Sequence, residues 1–176
     1  QGDVPRRSRS RRATSMAPKK APAAAEPEPE PEPEAPPEPE EGEGIFYFPD
    51  NSKYEGLWLM KDGVKMRHGK GMFVEGVPEG STPQSYEGEW REDAMHGFGT
   101  FRYASNAKYV GEFANNQYSG HGTYTFPDGS SYEGAFLAGQ MHGAGCYLDK
   151  QGVSWKGKFY NGMGPGLPTN ATFLAA

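Results

Sequence analysis

His68, His96 and His142 each stand at the head of a short glycine-rich phrase. Imidazole is the side chain best suited to ligate a metal or move a proton near neutral pH. The spacing argues against both. One histidine per pair of strands places neighbours about 10 Å apart along a sheet, whereas the ligands of one metal ion each stand about 2.0–2.1 Å from it. A structural ring that hydrogen-bonds backbone at a tight turn is the favoured reading, and no metal or other cofactor is expected. Ser119 interrupts the series, with His121 two residues on. Cys146 holds the place of Thr100 and Thr123, a strand surface position with no base implied beside it. The segments "GHG" and "GEGEG" lack the following helix and the Lys-Ser/Thr of a phosphate loop. Glu92 and Asp93 read as a solvated turn. No catalytic residues are expected, and the chain reads as not an enzyme.

The elements that carry these residues repeat. Tyr-x-Gly-x-aromatic begins at Tyr86, Tyr109 and Tyr132, Trp155 takes the same place, and the spacing is 23 residues each time. Tyr54 begins an earlier copy, 32 residues before Tyr86, with four extra residues before His68 and five between Phe73 and Tyr86. A second phrase, Gly-x-Gly-x-aromatic, returns as "GKGMF", "GFGTF", "GHGTY" and "GAGCY". "GEGIF" at 42–46 is a second half without a first, and "WKGKFYNGMGPG" is a first half without a complete second. Self-similarity at a fixed period signals a repeat architecture.

Each repeat reads as two strands. Tyr86, Gly88 and Trp90 share one parity and one face, while Glu87, Glu89 and Arg91 take the other. The rings need somewhere to lie. A glycine opposite or diagonal leaves a pit that a ring from the adjacent strand covers. The expected fold is all-β, a single-layer twisted antiparallel ribbon of consecutive hairpins.

Composition bounds the rest. The chain has 176 residues, 25 of them Gly and 16 Pro, one cysteine and a net charge of −5. Residues 1–41 run from "RRSRSRRATSMAPKK" to "EPEPEPEPEAPPEPEE" and hold no aromatic. They read as a disordered tail, basic and then Glu/Pro-rich, which cannot bury enough apolar surface to offset the entropy of ordering. The ribbon is assigned to 42–166, with four full repeats from 54, 86, 109 and 132 and a half repeat at each end. Residues 167–176 form a C-terminal tail. No apolar run approaches the ~18 residues of a membrane-spanning helix.

The paired phrases at period 23 resemble the MORN repeat family over about residues 42–166. The resemblance implies a non-catalytic protein–protein interaction scaffold. It implies a setting in the cytoplasm, at the axoneme of a cilium or flagellum, in a structural complex such as the radial spoke. Axonemal or cytoskeletal proteins are the expected partners, as helices or extended segments. On the residues themselves, the aromatic face of Tyr54, Trp58, Phe73, Tyr86, Trp90, Phe101, Tyr109, Phe113, Tyr124, Tyr132, Phe136 and Tyr147 is the candidate partner surface. The plainer alternative is that the rings only cover one another. The ribbon ends offer strand edges for self-association. One alternative is a peripheral membrane adaptor for anionic phospholipid, through Lys53, Lys61, Lys65, Arg67 and Lys70. It is less favoured, because residues 44–176 hold 11 Lys or Arg against 13 Asp or Glu, and lipid binding wants a cluster of basic residues. The other alternative is a regulatory module of a separate enzyme. No nucleic-acid partner is expected.

Overall fold

Tight turns set the pattern. Asp62–Gly63, Glu92–Asp93, Asn115–Asn116, Ala138–Gly139 and Asn161–Gly162 are five residue pairs with positive φ. Positive φ at both central residues is the mark of the two-residue turn whose twist matches that of its flanking strands. Four of these turns close full hairpins, and the fifth follows the strand of the last half repeat. In the computed structural model, residues 40–167 are described. They form ten strands and no helix: β1 Glu41–Tyr47, β2 Lys53–Lys61, β3 Val64–Val74, β4 Ser85–Arg91, β5 Ala94–Arg102, β6 Lys108–Ala114, β7 Gln117–Thr125, β8 Ser131–Leu137, β9 Gln140–Leu148 and β10 Ser154–Phe159. They make one open antiparallel sheet in which sheet order equals chain order. The all-β ribbon of consecutive hairpins expected from the sequence is therefore the fold. The disordered-tail reading of 1–41 and the tail at 167–176 lie outside the described residues, apart from 40, 41 and 167.

Register turns the repeated words into rows. Gly44, Gly56, Gly71, Gly88, Gly99, Gly111, Gly122, Gly134, Gly145 and Gly157 pair in succession across all ten strands. Two residues along, Phe46, Tyr54, Phe73, Tyr86, Phe101, Tyr109, Tyr124, Tyr132, Tyr147 and Trp155 do the same. Each repeat's first tyrosine lies across the glycine row. A methyl group at Gly99 would stand 2.6 Å from the Tyr86 ring, and one at Gly88 would stand 2.6 Å from the Gly99 backbone. Only glycine admits a ring at that distance.

A register shift follows the glycine in every hairpin, between Gly88 and Glu89 for example. The sequence reading did not include this bulge. It places the carbonyl three residues beyond the tyrosine within reach of the phenol. Tyr54, Tyr86, Tyr109 and Tyr132 donate to the carbonyls of Leu57, Glu89, Glu112 and Ala135 at 2.6, 2.8, 2.9 and 3.0 Å. A buried hydroxyl left without a partner would cost roughly 1–3 kcal/mol.

The core is a line of rings. Tyr54–Trp90, Tyr86–Phe113, Tyr109–Phe136 and Tyr132–Phe159 meet edge to face between repeats, at 5.6, 4.9, 5.0 and 4.7 Å between centroids. Tyr86–Trp90, Tyr109–Phe113 and Tyr132–Phe136 meet within repeats at 5.0, 5.1 and 5.3 Å. The contacts run unbroken from Tyr54 to Phe159. Each such pair adds about 0.5–1.5 kcal/mol beyond the area it buries. Backbone staples run beside them: the second turn residue of a hairpin donates to the preceding repeat, Asp93 to Arg67, Asn116 to Met95, Gly139 to Tyr118 and Gly162 to Met141, at 3.0–3.1 Å.

Candidate functional site

The aromatic residues do gather on one face of the ribbon, and most of them are consumed there. Tyr54, Tyr86, Trp90, Tyr109, Phe113, Tyr132, Phe136 and Tyr147 are buried. Trp58, Phe73, Phe101 and Tyr124 are half-buried. Of these, only the half-buried four keep ring surface at this face, while the other eight act as the sheet's own core. Burial holds the phenols protonated and pushes Tyr54 and Tyr132 up to about 12, with Tyr86 and Tyr109 also raised.

Several contributors were not singled out from the sequence. Tyr118 is buried and stacks on Tyr109 at 3.8 Å between centroids. Its hydroxyl meets that of Tyr103. It occupies the place of Met95 and Met141, opposite the second aromatic of the Tyr-x-Gly-x-aromatic phrase. The apolar residue just after the hairpin turn was the available signal. Phe126 packs on Tyr147 at 6.0 Å from the loop beyond β7.

The basic residues do not form a patch. Lys53 pairs with Glu55 at 2.7 Å, and Lys61 pairs with Glu92 at 2.8 Å at the hairpin tips. Arg67 binds Asp93 twice, through Nε to Oδ1 and through Nη2 to the backbone carbonyl, both at 3.0 Å. Lys65 lies over the Trp58 ring at 4.0 Å, and Arg67 lies over the Trp90 ring at 4.2 Å. These two belong to the aromatic face. Lys70 belongs to the opposite face, with Glu89 across from it in register.

That opposite, outer face has a groove floored by Gly56, Gly71, Gly88 and Gly99. Its walls are Glu43, Glu55, Glu87 and Glu89 with Lys70, Met72, Thr100 and Phe98, the last 58% exposed. It is not apparent in the sequence, where this parity shows only ordinary polar and apolar strand residues.

The histidines differ from expectation. Nδ1 of His68 and of His96 is buried with no hydrogen-bond partner, so neither makes the expected bond to backbone through that atom. Both rings flank the same outer-face hollow as Lys70, Glu89 and Arg91. His142 packs against Tyr160 at 5.0 Å. Among the described residues no three His, Cys, Asp or Glu are grouped as a metal site. Cys146 faces Ser154 across the strand pair, Sγ to Oγ 3.2 Å.

The MORN repeat family matches the chain at residues 40–53, 86–108, 109–131 and 132–153. The stretch from Tyr54 to Ser85 lies between the matched segments, yet it keeps the same glycine and aromatic rows. Compared with curated protein sequences, the chain matches none. MORN repeats are non-enzymatic modules that mediate protein or membrane interactions.

Proposed function

Because the chain belongs to the MORN-repeat family, we propose that it is a non-catalytic scaffold that binds other proteins as a structural part of an axonemal complex such as the radial spoke. The setting, cytoplasmic and at the cilium or flagellum, rests on the resemblance of its repeats. The observation that supports a protein partner over a lipid surface is the state of the basic residues. Lys53, Lys61 and Arg67 are neutralised in ion pairs, and Lys65 is drawn onto a tryptophan. Exposed apolar and half-buried aromatic side chains remain on both faces, and such groups anchor protein interfaces.

Affinity purification from demembranated flagella and from cytosol of the same cells tests the reading. The chain is expected to stay with an axonemal fraction through a salt wash of several hundred millimolar, because apolar contacts are screened little. Recovery only with cytosolic proteins would sink the axonemal assignment. Release by salt, together with cosedimentation on anionic vesicles, would replace the scaffold with a membrane adaptor.

A further inference from the structure

The two ends of the ribbon are halves of one repeat. β1 is a Gly-x-Gly-x-aromatic strand, with Gly42, Gly44 and Phe46, and among the described residues it pairs only with β2. β10 is an aromatic-x-Gly-x-aromatic strand, with Trp155, Gly157 and Phe159, and among the described residues it pairs only with β9. Within the sheet these two strand types always alternate. The free edge of β10 therefore lacks a strand of the β1 type, and the free edge of β1 lacks one of the β10 type. An open edge presents unpaired N–H and C=O groups, which makes it a template for another chain.

We propose that copies of this chain join head to tail by strand addition, with β1 of one copy pairing antiparallel to β10 of the next so that two half repeats complete one. The register follows from the rows. Gly44 comes opposite Gly157 of the neighbouring copy and Phe46 opposite Trp155, which continues the glycine and aromatic rows without a break. Phe46 is half-buried and Trp155 is 43% exposed at present. On the outer face the same register places Glu43 opposite Lys158 and Ile45 opposite Lys156, with Glu43 diagonal to Lys156. Glu41, Glu43, Lys156 and Lys158 are all exposed, and no ion pair within the chain involves any of them among the described residues. One edge is acidic and the other basic. Opposite charges across a strand pair stabilise it, and like charges directly opposite destabilise it.

The chain opens this position itself. After β10 it starts the missing strand: Asn161–Gly162 make the hairpin turn, and Tyr160 bridges Met163. Pro165 then has no N–H to continue the ladder. Gly164, Pro165 and Gly166 turn aside to pack on Phe159, Gly157 and Trp155 respectively. Among the described residues, the stretch from Ser154 to Lys158 has no partner strand on that side. Such a contact joins different surfaces of the two copies, so it closes into a ring or extends as a filament.

This deepens the scaffold reading and is tested on the purified full chain, so its failure leaves binding to other proteins untouched. Sedimentation velocity of the wild type is expected to show assemblies that grow with concentration and shrink with salt. Lys156→Glu with Lys158→Glu, or Glu41→Lys with Glu43→Lys, should each weaken association by about tenfold or more, as attraction becomes repulsion. An equimolar mixture of the two variants should reassemble, because both of its junctions are complementary. A wild type that is monomeric at all concentrations overturns the proposal. So do variants that assemble as well as the wild type, or assembly lost only on reversing the glutamates, which would indicate pairing of β1 with β1. Should a reversal impair folding, oxidation decides instead. In a Cys146→Ser background, Ile45→Cys with Lys156→Cys should give a ladder of multimers. Ile45→Cys alone giving the same yield of linked dimers would overturn the head-to-tail arrangement.

Discussion

The first repeat, Tyr54 to Ser85, and the three regular repeats from Tyr86 solve the same packing problem with different materials. In the regular repeats the ring four residues after the tyrosine, Trp90, Phe113 or Phe136, is buried, and Met95, Tyr118 or Met141 lies opposite. In the first repeat the corresponding ring, Trp58, faces Arg67 and stays half-buried. Its cover is Lys65, carried on a hairpin extended by the Met60–Lys65 and Lys61–Val64 pairs. A middle repeat borrows a ring from its neighbour; the repeat beside the half repeat β1 has fewer rings to borrow and uses cations. A cation over an indole face is worth about 0.5–1 kcal/mol where exposed, less than a buried edge-to-face contact and its area together. The repeat that departs most from the pattern is thus the one whose second ring is least committed to the core.

Deleting the two tryptophans breaks or sharpens this contrast. Trp90→Ala should cost about 3–5 kcal/mol, the usual loss for a buried large aromatic, and Trp58→Ala about 1–2 kcal/mol, within the range of ordinary substitutions. Equal losses in urea unfolding would show that the first repeat is as tightly built as the rest.

The glycine row gives the next largest effect. Gly99→Ala should cost about 1–3 kcal/mol by overpacking, since the new methyl falls 2.6 Å from the Tyr86 ring and that ring is 1% exposed and held by its hydroxyl. Gly44→Ala should cost less than about 1 kcal/mol, because its nearest neighbour, 3.3 Å away, is the half-buried Phe46 ring on an edge strand. If thermal melts rank them in reverse, the row is not the constraint it is taken to be.

Alkali should act on both regions alike. Tyr54 in the first repeat and Tyr132 in a regular one are each raised by burial to about 12. A folded pKa above the unfolded value contributes stability that is complete below about pH 10 and lost as pH rises through the folded pKa. Stability is therefore expected to be flat up to about pH 10 and to fall between about 10 and 12. A pH titration of stability that declines well below 10 would assign the loss to other groups.

The smallest effect belongs to the surface ion pairs of the first repeat. Lys61→Ala should leave stability nearly unchanged, because its 2.8 Å bond to Glu92 joins two side chains about half exposed. A clear drop in the urea midpoint would mean that the hairpin tips hold the repeats in register.

Strand existence, pairing and the buried parity were legible in the sequence, because alternation with period 2 and repetition with period 23 agree at every copy. The pit-and-ring logic was legible too, since glycine and tyrosine keep a fixed offset. The bulge was not. It depends on positive φ at Gly97 and Gly120, and a glycine in a strand does not announce which way its backbone turns. The Tyr hydroxyl bonds depend on that bulge and were hidden with it. The staples at Asp93 and Asn116 were hidden for another reason: both read as ordinary turn residues, and only the neighbouring hairpin shows that their side chains accept the backbone N–H of Arg67 and Met95 at 2.9 and 2.7 Å. The aromatic face was found by its composition, but composition alone could not divide rings spent on the core from rings left at the surface. The basic cluster was legible as residues and not as a site, because its partners Glu92 and Asp93 come from the next repeat.

Sheet order that equals chain order has a mechanical side. Were the ribbon pulled by its two ends, across the strands, the load would fall on one edge ladder at a time, as on a zipper. No two ladders would share it. Resistance would be low and repetitive, a sawtooth whose teeth count hairpins, and relaxed hairpins could close again against the intact remainder. Such a ribbon yields by small steps and keeps most of its length folded while it does so.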